Sequence, residues 1–194
     1  RASLHVLTED ALKTLFKSER KGASATLQSI AGTLGIPVDR AAELLAEMEK
    51  NELVVCQGDE LRLTPGGRST ALHVVRAHRL LERYLADETG YEEAEWHDRA
   101  ERFEHELSPQ ELDALAARLG NPTHDPHGDP IPAADGSMVL HGGQPLPTLP
   151  PGQPGRIVHI EDEPELIYAQ LVAEGLYPGM EINILEKNSQ LVRF

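Results

Sequence analysis

The sequence predicts a mainly α-helical protein that opens with a winged helix-turn-helix. Apolar residues recur at helical spacing through most of the first 120 positions. One short extended stretch interrupts them at residues 53–63. Nine of the 14 prolines fall between Pro122 and Pro154, and seven of the 16 glycines between Gly120 and Gly155, which sets off an irregular connector before a short tail.

The first helix is expected from Thr8, its N-cap, to about Arg20, with Leu12, Leu15 and Phe16 as its buried stripe. After a break at Gly22, Leu27, Ile30, Ala31 and Leu34 keep helical spacing. Gly35-Ile36 then turns the chain into a third helix bearing Ala41, Leu44, Leu45 and Met48. A short helix, a glycine turn and a second helix make a helix-turn-helix. Leu53-Val54-Val55-Cys56, a Gly58-Asp59 turn and Leu61-Arg62-Leu63 predict a hairpin, the wing. Thr64-Pro65, a cap followed by a first-turn proline, starts a long helix to about Glu88. Its neighbour is expected over about Tyr91 to Leu107. Ser108-Pro109-Gln110-Glu111 has the capping-box form ahead of a stripe of Leu112, Leu115, Ala116 and Leu119, which Gly120 and Pro122 end. Apolar faces this broad predict that the helical region forms a dimer interface.

Acidic residues number 32 against 18 basic, a formal charge of −14, which argues against a surface that embraces nucleic acid or anionic lipid throughout. Residues 1–76 balance at 10 basic and 10 acidic, whereas 77–132 carry 5 and 14, and 133–194 carry 3 and 8, so DNA contact is expected only in the first zone. The lone cysteine, Cys56, excludes an intrachain disulfide and multi-cysteine metal sites and fits a reducing cytoplasm. No apolar run approaches the roughly 18 residues that span a bilayer, and Arg1 to Leu7 lacks a secretory pattern. A cytoplasmic protein without membrane contact is expected.

The chemistry lies in the second zone. His97, Glu101, Glu104 and His105 stand at offsets 0, 4, 7 and 8, which on one helix confines them to a sector of roughly 100°. Trp96, Ala100, Phe103 and Leu107 take the adjacent sector. His78 and Glu82, one turn apart on the preceding helix, form a second imidazole–carboxylate edge. A single such pair is commonly a solvated ion pair; six such residues on two consecutive helices point to a divalent metal. Mixed nitrogen and oxygen donors suit manganese, iron, cobalt, nickel or zinc, whereas calcium and magnesium favour all-oxygen shells. His124 and His127 flank Asp125-Pro126, and a short histidine cluster can bind metal, although in a proline-rich connector local hydrogen bonding in turns is the more ordinary role. No His-Glu-x-x-His, Gly-x-Ser-x-Gly or phosphate-cradling glycine loop occurs. A helical metalloenzyme and a metal-buffering or interaction protein without DNA binding stand as alternatives.

These segments together resemble the diphtheria toxin repressor family of metal-dependent transcriptional regulators. The resemblance is carried by the winged helix-turn-helix, the His78-Arg79-Leu80-Leu81-Glu82 segment, Trp96-His97 with Ala100-Glu101 and Glu104-His105, Leu119-Gly120-Asn121-Pro122, and Asp125-Pro126-His127-Gly128-Asp129-Pro130-Ile131-Pro132. It implies homodimers that bind operator DNA once loaded with manganese or ferrous iron and repress metal-uptake genes. It divides the chain into a DNA-binding domain at 1–73, a helical metal-binding and dimerisation domain at 74–140, a Pro/Gly-rich linker at 141–153 and a small SH3-like β-barrel at 154–194. The last is carried by Gly155-Arg156-Ile157-Val158 and by residues 171–181. The chain ends at Phe194 in a strand-like pattern, so this barrel is expected to be short of its final strands.

Carried over by position, the resemblance implies a primary metal site of Asp10, Glu101, Glu104 and His105. It implies an ancillary site of His78, Glu82 and His97, with Asp162 taken from among His159, Asp162, Glu163 and Glu165. Asp10 lies in the first helix, so metal there would tie the DNA-binding module to the dimerisation helices. Asp10 and Glu101 stand where the iron-sensing branch has Met and Cys; hard oxygen donors favour manganese first and iron second. The manganese branch carries a further carboxylate one turn after the Asp, and here that position is Lys13, a departure from its two-metal cluster. On the recognition helix Asp39, Glu43 and Glu47 are acidic, and an acidic side chain can accept from cytosine N4. DNA contacts are expected from Asp39, Arg40, Glu43, Lys50 and Arg62, with Lys21 a further phosphate contact.

Overall fold

The computed structural model describes residues 3–58, 60–162, 164–188 and 192–194. Helix α1 (Leu4–Arg20) begins four residues before the expected start, because Leu7 extends the buried stripe upstream and the Ser3 hydroxyl caps the helix by accepting from the Val6 N–H. Thr8 lies inside it, and its hydroxyl donates to the Leu4 carbonyl at 2.8 Å. Helix α2 (Leu27–Thr33) is closed by a Thr26/Ser29 capping box. A turn with Gly35 at φ +61° leads to α3 (Val38–Lys50). Strands β1 (Val54–Gln57) and β2 (Glu60–Leu63) form an antiparallel hairpin that pairs Val55 with Arg62 and Gln57 with Glu60. The Asp59 half of the expected turn lies outside the described residues.

Helix α4 (Pro65–Glu88), capped by Thr64, runs as the sequence predicts and joins two cores. Its first half places Ala71 and Val75 against Leu12, Leu15, Ile30, Leu44 and Met48. Its second half places Ala77 and Leu80 against Leu112 and Ala116 of α6 (Pro109–Arg118) and Ile131. The expected 73/74 boundary therefore falls inside one continuous helix.

The helix expected over Tyr91 to Leu107 is shorter and broken. A 3₁₀ turn at Glu93–Glu95 precedes α5 (Trp96–Phe103), and Glu104 and His105 follow in a turn. The Glu104 carboxylate points into the interior, where Lys13 and His78 bind it, so a partner on another helix competes with continuation of this one. Ala100 is buried as expected, but Phe103 is half exposed.

The connector holds a tight turn. The Asp125 carboxylate accepts from the His127 and Asp129 N–H groups, each at 2.9 Å, and the Ile160 N–H donates to the His127 carbonyl at 2.9 Å. Gly128 has φ +94°, and a Cβ there would stand 2.0 Å from the Val158 carbonyl oxygen. Gly128→Ala is therefore expected to destabilise the fold by about 2–4 kcal/mol, combining left-handed strain with overpacking. Denaturant unfolding would measure this.

In the tail, β3 (Pro154–Arg156) pairs antiparallel with β4 (Glu181–Asn183), and β5 (Glu186–Lys187) with β6 (Val192–Arg193). Helix α7 (Glu165–Ala173), absent from the sequence expectation, lies between the first two. No described helix is long and apolar enough to cross a membrane.

Candidate metal centre

Two buried carboxylates, Glu82 on α4 and Glu104 after α5, are each 1% exposed. Such charges persist in an interior only when matched by cations or strong donors, and imidazoles surround both. His105 Nε2 lies 3.1 Å from Asp10 Oδ1 and 3.6 Å from Glu104 Oε1, so Asp10, Glu104 and His105 bring three ligand atoms together from α1 and the turn after α5. The other His105 nitrogen meets Glu9 at 2.6 Å, a partner that sequence spacing did not reveal. Lys13 donates to both Glu104 oxygens, at 2.9 and 2.8 Å.

The second cluster centres on Glu82. One of its oxygens lies 3.0 Å from His78 Nε2 and 3.3 Å from His97 Nδ1; the other lies 3.7 Å from His127 Nδ1. Asp162 Oδ2 lies 3.9 Å from both His97 and His127. Glu82 therefore belongs to two triads, one with His78 and His97 and one with His127 and Asp162. Among the described residues His127 Nδ1 is buried without a hydrogen-bond partner, and its nearest carboxylate oxygens lie 3.7 and 3.9 Å away, an arrangement a ligand atom would have. Imidazole nitrogens and carboxylate oxygens on this spacing suit a borderline divalent transition metal, so the residues present fit one. His78 joins the clusters, its Nδ1 lying 2.5 Å from Glu104 and its Nε2 facing Glu82.

The predicted ligands thus converge with one exception and one addition. Glu101 does not join Asp10, Glu104 and His105; it faces His97 Nε2 at 3.4 Å. The addition to the two ligand sets is His127, 45 positions after Glu82, for which the sequence allows metal binding with His124 but favours a turn role. The sequence signal that could have found it is the Asp125-to-Asp129 turn, which fixes its backbone. Of the other tail candidates, His159 bonds Asp129 at 3.4 Å instead, Glu163 lies outside the described residues, and Glu165 begins α7. His124 faces His141, with ring centroids 6.1 Å apart.

On the DNA-facing candidates, cations are paired locally: Arg40 with Glu43 at 3.0 Å, Lys50 with Glu47 at 3.4 Å, and Arg62 with Glu60 at 3.0 Å. Asp39 sits in the first turn of α3. Lys21 bonds Glu161 at 3.2 Å, linking the end of α1 to the tail.

The family description "Iron dependent repressor, metal binding and dimerisation domain" matches residues 64–133. The chain is 32% identical over 196 residues to the iron-dependent repressor IdeR of Mycobacterium tuberculosis, covering 91% of this chain and 83% of that protein. It is 30% identical over 200 residues to the diphtheria toxin repressor of Corynebacterium diphtheriae, covering 95% and 86%. The chain belongs to the diphtheria toxin repressor family. A solved manganese-dependent transcriptional repressor in complex with manganese superposes on this family member with a TM-score of 0.84 at 31% identity, covering 93% of this chain and 84% of that one. Relatives and structural neighbours are metal-dependent transcriptional repressors rather than enzymes.

The electrostatics of this repressor-family site make metal uptake and proton release opposite sides of one equilibrium. Hydrogen bonds that the His97 imidazolium donates to Glu101 and then to Glu82 lift it to about 10. Burial opposes charge on His105, but Asp10 and Glu9 outweigh it and lift that imidazole to about 10 as well. Glu101 is held at about 2, chiefly by its bond to His97. Both imidazoles are raised from 6.5, so their contribution to metal-free stability is complete below about pH 6.5 and is lost as pH rises through about 10. A metal needs them neutral. Metal-free thermal stability is therefore expected to fall between pH 6.5 and 9.5 while manganese affinity rises. Calorimetric titration in buffers of different ionisation enthalpy should register proton release, and its absence would contradict the imidazole ligands.

Proposed function

We propose that the protein is a homodimeric transcriptional repressor of the cytoplasm that uses manganese first, and ferrous iron second, to bind an interrupted palindromic operator of metal-uptake genes. The observation that carries this reading is the meeting of Asp10, on helix α1 of the DNA-binding module, with Glu104 and His105, in the turn after α5. An ion held there favours arrangements in which the two regions are docked, by as much as its affinity differs between docked and undocked states. When bound, the metal supplies positive charge and fixed coordination; the chain's residues supply the docking. In this reading Glu101 turns from His97 to complete the primary set. The ancillary set is Glu82, His127 and Asp162, with His78 and His97 alongside. The donors are nitrogen and oxygen, and the one cysteine, Cys56, is exposed on β1, which favours manganese.

Helices α2 and α3 with the β1–β2 hairpin serve as the winged helix-turn-helix of residues 1–73. Asp39, Arg40, Glu43, Lys50 and Arg62 face DNA, the cations exchanging their local carboxylates for phosphates. Half-exposed Phe103 and Tyr91, beside Tyr84 and Leu85, supply apolar surface for a second copy within the 74–140 domain. Residues 154–194 act as the SH3-like module after the 141–153 linker and lend Asp162. The acidic face of α3 favours one rival, a metal-buffering protein that does not read DNA.

Titrating metal-free protein with manganese, and anaerobically with iron, in the presence of promoter DNA of metal-uptake genes decides between them. The repressor reading expects affinity that rises with metal and falls steeply with salt as counterions are released. Metal binding without any change in DNA affinity would favour the buffer.

A further inference from the structure

The metal centre contains a cation of its own. Lys13, one turn after Asp10 on α1, is 7% exposed, and its ammonium lies within hydrogen-bonding distance of both Glu104 oxygens and 3.2 Å from His78 Nδ1. Without it, Glu104 at 1% exposure would rely on imidazoles alone for its counter-charge. Both oxygens that a divalent ion would need are therefore already engaged. Lys13 also lines an open cavity of about 730 Å³ together with Asp10, Lys17, Glu101 and His105, so its flexible stem has space in which to withdraw and an ion has a way in.

We propose that Lys13 is a resident cation that competes with the divalent metal for Glu104 and so sets the metal concentration at which the Asp10–Glu104–His105 cluster loads. The inference rests on reading that cluster as a metal centre. An ammonium and a dication on one carboxylate repel strongly in a site of low dielectric, so loading requires Lys13 to leave Glu104. The metal-free centre stays charge-balanced, and the ion meets a threshold rather than an open seat. Lys13 is thus a positioning residue that tunes sensitivity rather than a ligand.

The test is manganese affinity of the full chain without DNA, read from the electron paramagnetic resonance signal of free manganese. Lys13→Met and Lys13→Gln, the latter keeping a donor toward Glu104, are each expected to bind manganese at least tenfold tighter than the parent. Lys13→Arg, which keeps the charge, should stay within threefold, and the gain should vanish when Asp10→Ala is added to Lys13→Met. Neutral variants that bind no tighter would overturn the proposal, as would a gain equal in Lys13→Arg. In the unaltered protein, saturating manganese should raise acetic anhydride labelling of Lys13 severalfold relative to exposed Lys50; unchanged labelling would show that Lys13 stays in place and would also overturn it. If the parent takes up no manganese, the metal-centre reading itself fails. If it does and the variants match it, only the role of Lys13 fails.

Discussion

Asp10→Ala is expected to hold DNA affinity at its metal-free level at every manganese concentration. Asp10 is the α1 ligand atom that meets Glu104 and His105, lying 3.1 Å from the imidazole and only partly buried. Its removal leaves Glu104 and His105, joined by Glu101 from α5, all from one stretch of chain, so an ion bound there is no longer held by α1. Outer partners of metal ligands are worth roughly 10–100-fold in affinity, and loss of a direct ligand should weaken the first centre by at least about 100-fold. The Glu82 cluster contains no α1 residue and should load as before. The two outcomes separate in one experiment: metal stoichiometry by equilibrium dialysis and operator binding on the same preparation. Unchanged metal-dependent operator binding would sink the proposed switch.

Glu82→Ala is expected to give the largest loss of stability among single changes at the site. His78, His97 and His127 all face this carboxylate within 3.7 Å. Burial works against its charge, but His78 foremost holds it well below the ordinary carboxylate range. Removing one partner of a buried charge cluster typically costs about 3–5 kcal/mol, which for a chain of this size lowers the melting temperature by roughly 10 °C. The sign with pH is fixed by the depressed value. The carboxylate contributes fully above about pH 4.5 and loses its contribution only as pH falls through its lower folded value. The variant should therefore melt lower than the parent at neutral pH, and the gap should close in strong acid. A constant gap down to pH 2, followed by circular dichroism, would assign the loss to packing instead.

The helices that carry the site were legible where local signals agreed with tertiary packing. Thr64-Pro65 and the Ser108/Glu111 box start α4 and α6 where they should, because a cap acts within one turn of its own helix. Thr8 misled because it can bond backward inside a helix as well as cap one, and the choice was made by burial of Leu7 upstream. Placing His97, Glu101, Glu104 and His105 on one helical flank picked out residues that the structure brings into two neighbouring clusters, but one continuous helix is not what brings them there. The helix stops at Phe103, and it is the turn beyond that aims Glu104 inward and leaves Glu101 beside His97. His127 was legible only as a member of a short histidine cluster; its place beside Glu82 depends on the connector folding back, a non-local event without periodicity.

Helix α4 is one uninterrupted span of 24 residues, with His78 and Glu82 past its midpoint and its first turns embedded beside α1 and the hairpin. At 1.5 Å per residue it is a rod of about 36 Å. Pivoted near its middle by about 3°, such a rod carries its far end through roughly 1 Å, a third of a hydrogen-bond length, where it packs beside α1 and the hairpin. In the homodimer proposed above, two-fold symmetry would give the second rod the same movement, so any component along the line between paired recognition helices would be doubled. Small displacements at carboxylates could then be read as a change of spacing along a double helix, with the long helix acting as the beam of a balance and the ion as the weight.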